Sequence, residues 1–236
     1  MEPLESHVLF VRDDGLFEVG TIDQIDGTYV QTQAPDPDNL FSPNWAHVVA
    51  VGPHILFVHN NGQFAVGHID QSNSQYVNTE GPKTGFSLNW THVVAVGPHI
   101  LFVRSSDGLF AVGHIDESSG TFVNTESGTL VDPEDGTVFT DLTHLVAVGS
   151  HVLLGRNDAF WVIHIDEATS QYVRTQKGPG FSPDWTHVVA VGPRILYVAS
   201  SGGLGAVGHI NWIGQHVETQ SGPTYSIDWT HVVAVA

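Results

Sequence analysis

Two side-chain pairings recur at fixed places in this chain, and both could do chemistry. The first is Asn or Asp followed by Trp, at Asn44-Trp45, Asn89-Trp90, Asp184-Trp185 and Asp228-Trp229. A Trp face can stack on a sugar ring while the neighbouring amide or carboxylate takes hydroxyls. Equally, the Trp can cap a core while the Asn or Asp turns the loop before it. A third copy reads Asp141-Leu142, which predicts a weak or absent site there. The second pairing is the histidine of "GHID" and its variants, His68, His114, His164 and His209. It is followed two residues on by Asp70, Asp116, Asp166 and Asn211. Residues i and i+2 share a strand face, so each pair is expected to bond to itself or to offer its polar groups to sugar hydroxyls. As zinc ligands, one His and one Asp per copy fall short of the usual three or four.

Two further histidine columns accompany these. His47, His92, His144, His187 and His231 lie in "THVV" or "THLV"-type segments, so apolar that a core histidine bonded to backbone is expected. A ring of five histidines gathering an ion is the sharper alternative. His7, His54, His99 and His151 form the other column, which becomes Arg194 in the last copy and is therefore placed near solvent. The acids of "APDPDNL" lack the spacing of a calcium loop, and no "GxSxG" elbow occurs. With no cysteine, thiolate metal sites and cysteine nucleophiles are excluded.

The elements that must position these residues follow from repetition. The marker histidine of "THVV" returns roughly every 45 residues, the period of a propeller blade. Five repeats result, approximately 1–44, 45–89, 90–141, 142–184 and 185–236, in one domain without linkers. Each reads as four short strands. "THVVAVG" is apolar on both faces, Gly-Pro turns into "HILFV", "NNG" or "SDG" makes a hairpin into "FAVGHID", and "YVNT" follows a polar turn. The fold class expected is all-β, a five-bladed β-propeller of four antiparallel strands per blade. The small residues of "VVAVG" place that strand innermost. The last copy stops at "THVVAVA", and the chain begins with "SHVLFV", so the terminal strands are expected to pair and close the ring, removing an open edge.

Composition narrows the function. Two lysines and a net charge of −18 argue against nucleic acid and anionic lipid. No segment reads as a signal peptide or as a membrane helix of about 20 apolar residues, giving an expectation of a soluble protein, cytoplasmic or non-classically secreted. Five near-equal surfaces favour multivalent binding, whereas an enzyme needs one asymmetric site. The expectation is therefore a binder and not an enzyme, needing no cofactor or metal.

The segment "DWTHVVAVG", followed by "ILFV-xxxG-xFAV", resembles the blade pattern of the tachylectin and tectonin group of lectin propellers, most closely the five-bladed tachylectin-2 type. That resemblance implies a site for N-acetylated sugars between neighbouring blades, carried by Asn44, Trp45, Asn89, Trp90, Asp184, Trp185, Asp228 and Trp229. Glycans on cell surfaces or glycoproteins would be the partners. A protein-interaction scaffold without sugar binding is the alternative reading.

Overall fold

The structure, a computed structural model, describes residues 6–11, 15–22, 29–36, 45–132, 135–156, 158–166, 168–169, 171–191, 193–199 and 204–224. Every regular element among them is a strand, in five antiparallel sheets. The first sheet has three strands, β1 (Ser6–Val11), β2 (Phe17–Ile22) and β3 (Tyr29–Gln33). The second comprises β4 (Trp45–Val51), β5 (His54–His59), β6 (Gln63–Asp70) and β7 (Gln75–Thr84). The third comprises β8 (His92–Val96), β9 (His99–Arg104), β10 (Leu109–Asp116) and β11 (Thr121–Thr129). Next come β12 (His144–Val148), β13 (His151–Arg156), β14 (Asp158–Ile165) and β15 (Tyr172–Phe181). The last sheet is β16 (His187–Val191), β17 (Arg194–Ala199), β18 (Leu204–Ile210) and β19 (His216–Thr224). The fold is an all-β β-propeller with four blades of four antiparallel strands, each a meander in sequence order. Five four-stranded blades were expected from the repeats. The strand that would complete the first sheet, within "WTHVVAVA", and the ring closure built on it lie outside the described residues.

Local chemistry explains the meander. Gly52, Gly97 and Gly149 adopt φ of 55°, 58° and 60° at the first turn of their blades, where a tight hairpin wants a residue without Cβ. The third turn is capped by the acid of "GHID". Asp70 Oδ1 accepts from the Ser72 backbone and hydroxyl, Asp116 Oδ1 from Ser118 and Ser119, and Asp166 Oδ1 from Ala168 and Thr169. These bonds favour the ionised carboxyl and pull Asp116 down to about 2. Asn211 plays the same part in the last blade, accepting from Ile213 and Gln215. The acid two residues past the histidine is thus spent on the turn.

The described residues form two compact units, Met1–Trp90 with Ile115–Val123, and Thr91–His114 with Asn124–Ala236. In the first, Phe17, Val19 and Ile69 form a core against Leu9, Ile55 and Tyr76. In the second, Leu101, Phe110, Leu130, Phe139, Leu154 and Trp161 pack together, and a separate core joins Leu153, Val162, Phe181, Ile195, Tyr197 and Ala206. Within this second unit β12 approaches both β8 and β16, so "THVV"-type strands of successive blades converge as innermost strands should.

Three of the "YVxT" segments latch their sheet to the next blade through the Thr that ends them and the Gln or Glu that follows. Thr32, Thr79 and Thr175 place their hydroxyls 2.8, 3.1 and 2.7 Å from the carbonyls of Ser74, Gly120 and Gly214 in the following blade. The next residue accepts a backbone N–H from that blade: Gln33 from Tyr76 at 2.9 Å, Glu80 from Phe122 at 2.7 Å, and Gln176 from His216. A hydrogen bond of this kind is directional, so the pair fixes register between blades as well as contact.

A candidate active site in the last repeat

The residues singled out by sequence land in different environments. Trp90 is 6% exposed, so its ring is core; its neighbour Asn89 takes φ of 59° to turn the chain into the strand. Asp141 has the same φ, and Leu142 fills the place of the Trp at 5% exposure. Short polar side chains tolerate this left-handed backbone. Trp45 is half-buried against Phe57 and His59, with ring centroids 5.7 and 6.1 Å away. Asp184 is exposed, its N–H donating to Ser182 Oγ at 3.2 Å, and Trp185 is half-buried. Asn44, Asp228, Trp229 and His231 lie outside the described residues.

The "GHID" histidines meet a partner that reading along one strand does not show. His68 stands opposite His54, His114 opposite His99, and His164 opposite His151, with ring centroids 6.2, 6.5 and 5.1 Å apart. In the last blade the partner is Arg194, whose Nη1 is 3.5 Å from His209 Nδ1. The column expected near solvent is buried at His54 and His99, and the pairing accounts for it: each ring is covered by the ring across the strand. The core reading of the "THVV" histidines holds at His47, whose Nε2 bonds the Trp90 carbonyl at 2.8 Å. No group of three or more His, Asp or Glu among the described residues could hold a metal ion.

Among the described residues, a Tyr–His contact is found in the last repeat. In the second sheet, column positions Phe57 and Tyr76 make an edge-to-face pair at 5.8 Å. In the last blade the same two positions are Tyr197 and His216, at 5.6 Å and 79°. Tyr197 Oη lies 2.7 Å from His216 Nε2. The imidazole reaches across β18 over Gly208, where a Cβ would come within 2.7 Å of Nε2. The Gln176 side-chain Oε1, from the previous blade, accepts the His216 backbone N–H. Phe160 stacks edge-on to the imidazole at 5.2 Å, and Trp185 leans on the Tyr197 ring at 5.5 Å.

This pair lines a cavity of about 180 Å³. Leu153, Phe181 and Ala206 are buried at its base, while Pro179, Gly180 and Glu218 are exposed at its edge. Of the residues the sequence nominated, Trp185 lines it. Burial pushes the Tyr197 phenol up, with Glu218 adding to the effect; burial pushes the His216 imidazole down, with His209 adding. The pair therefore stands as a protonated phenol beside a neutral imidazole, a combination able to accept one proton and give another. The sequence offered two signals for it, the single His in the Tyr/Phe column and the single Tyr in the "ILFV" column.

No protein-family model matches the chain, and no curated protein matches it. Solved structures do match in fold. A candidate 6-phosphogluconolactonase from Bacteroides uniformis superposes with a TM-score of 0.62 at 12% identity, over 96% of this chain and 70% of that one. Another from Bacteroides fragilis gives 0.56 at 11%, over 90% and 65%. The periplasmic gluconolactonase of Pseudomonas aeruginosa gives 0.54 at 14%, over 95% and 68%. The chain thus spans about two thirds of the length of these neighbours, and at such identities the likeness establishes the propeller fold. No helix among the described residues is long and apolar enough to cross a membrane. The expectation of a non-enzymatic, multivalent lectin is corrected: these three fold neighbours bear the names of lactonases, and none of the three that of a lectin. The physical reason is that the repeats are not equivalent: Trp90 is core, and the last repeat alone among the described ones carries the Tyr–His pair.

Proposed function

We propose that this protein is a hydrolase that opens a small lactone in the cavity beside Tyr197 and His216. The observation that carries the reading is the 2.7 Å contact between Tyr197 Oη and His216 Nε2 in a cavity walled by aromatic rings. Support comes from the fold, which is shared with a periplasmic gluconolactonase and a candidate 6-phosphogluconolactonase.

Hydrolysis needs one proton removed from water as it adds to the acyl carbon and one supplied to the departing ring oxygen. With its proton on Nε2, the imidazole accepts the proton of water at Nδ1, and the Tyr197 hydroxyl gives its proton to the ring oxygen. The C–O bond to water forms, the ring C–O bond breaks, and the Nε2 proton passes to the phenolate; the imidazole is left protonated on Nδ1, and proton exchange with water returns it to the Nε2 tautomer. The test is ring opening of glucono-δ-lactone and simple δ-lactones, followed by acid release. Turnover by the intact protein that falls with Tyr197→Phe supports the reading; a panel with no turnover above the uncatalysed rate removes it.

The three-stranded first sheet is proposed as a fifth blade, completed by "WTHVVAV" from the C-terminus. Its register supports this, since His7 pairs with Thr21 as His54 pairs with His68.

A further inference from the structure

The cavity also bears on which lactone would enter it. Apart from Tyr197, His216 and Glu218, the described side chains that line it are apolar or aromatic, and no lysine or arginine is among them. Among the described residues that line it, the one formal charge is the Glu218 carboxylate. Recognition of a phosphate ester draws on Arg, Lys or a cluster of backbone N–H groups. The described cations are engaged elsewhere. Lys83 pairs with Glu80, and Arg104 with Asp107. Arg174 and Lys177 both pair with the buried Asp132, Arg156 lies 5.3 Å over Trp161, and Arg194 meets His209. A phosphate brought to the cavity would therefore meet a carboxylate and aromatic faces inside a chain of net charge −18. The volume, about 180 Å³, is below the roughly 300–1,000 Å³ of drug-sized sites and suits a single ring.

We infer that the substrate is a small, uncharged, one-ring lactone, and that the 6-phosphorylated lactones named for two of the fold neighbours are excluded. This inference rests on the hydrolase reading above. It adds a claim about charge that the reading does not contain. Trp185, Phe160 and Phe181 wall the cavity with aromatic rings, and Glu218 repels an anionic substituent.

The experiment is a matched pair of substrates, glucono-δ-lactone and its 6-phosphate, given to the intact protein and to Glu218→Gln. The inference expects kcat/KM for the uncharged lactone to exceed that for the phosphate at least tenfold. It also expects Glu218→Gln to narrow that ratio while Tyr197→Phe lowers both rates together. Equal use of the two, or preference for the phosphate, overturns the charge inference and leaves the hydrolase standing. Absence of turnover with either overturns the hydrolase reading, and this inference with it.

Discussion

Tyr197 and His216 lie two strands apart in one blade, yet their polar atoms are 2.7 Å from each other because the strand between them carries Ala206 and Gly208. The phenol is 3% exposed. A buried hydroxyl needs a partner, and the imidazole supplies it. Replacing Tyr197 by Phe restores the residue found at this column in "HILFV", so the fold should survive. Lactone turnover should fall by about 10²–10⁴, the range of acid–base catalysis. Circular dichroism unchanged beside a lost rate is the expected result.

The pH profile should carry the imidazole's signature. Burial lowers the His216 pKa, so the neutral form persists below the ordinary value of about 6.5. The group accepts a proton only when neutral, so kcat/KM should stay level through neutrality and decline on the acid side of that value. His216→Tyr, the residue of the second and fourth repeats, should abolish the acid limb along with the activity. A limb centred above 6.5 would contradict the assignment.

Gly208→Ala separates position from presence. The added Cβ would lie 2.7 Å from His216 Nε2, so the imidazole must move away from Tyr197. Activity should drop about tenfold or more, since small displacements of a catalytic group are costly. The corresponding Gly67→Ala meets the Tyr76 ring and should lower the melting temperature while leaving turnover per folded molecule intact.

The long insertion of the third repeat is anchored by a carboxylate with 0% exposure. Asp132 takes Arg174, Lys177 at 2.8 Å and the Trp161 indole at 3.1 Å. Asp132→Ala takes this acceptor from Arg174 and the Trp161 indole N–H, while Lys177 keeps Asp135 at 3.2 Å. A loss of about 3–5 kcal/mol is expected for breaking such a buried pair, measured by urea unfolding.

Stability should also depend on the cross-strand histidines. Burial lowers the pKa of His54 and His151, and the facing His68 and His164 lower it further. A native pKa below the unfolded one means that the unfolded chain binds more protons between the two values. The stabilising contribution is therefore complete above about 6.5 and is lost as pH falls through that window. Thermal melts from pH 8 to 5 should show the decline, and His54→Gln with His151→Gln should flatten it.

Much of the architecture was legible because it is written locally. "NNG" and "SDG" announce hairpins, and the repeated "THVVAVG" gives both the period and the first strand of each blade. The site was less legible for the same reason. Asp70 looks like a partner for His68 along one strand, but the turn claims it, and the real partner, His54, comes from the strand alongside. Trp90 reads as a platform for a ligand, yet its burial depends on chain folded around it. The departures at Tyr197 and His216 were visible as letters. Their meeting across Ala206 and Gly208 was not, since it requires the meander to be laid flat.

The latches built from Thr32-Gln33, Thr79-Glu80 and Thr175-Gln176 grip the neighbouring blade by its main chain. Carbonyls and N–H groups are the same whatever side chain they bear. Mutation at the ring positions can therefore proceed without loosening the joints, and one module can acquire a trade that its siblings lack. Duplication supplies the spare copies, and backbone-directed joinery lets a single copy diverge.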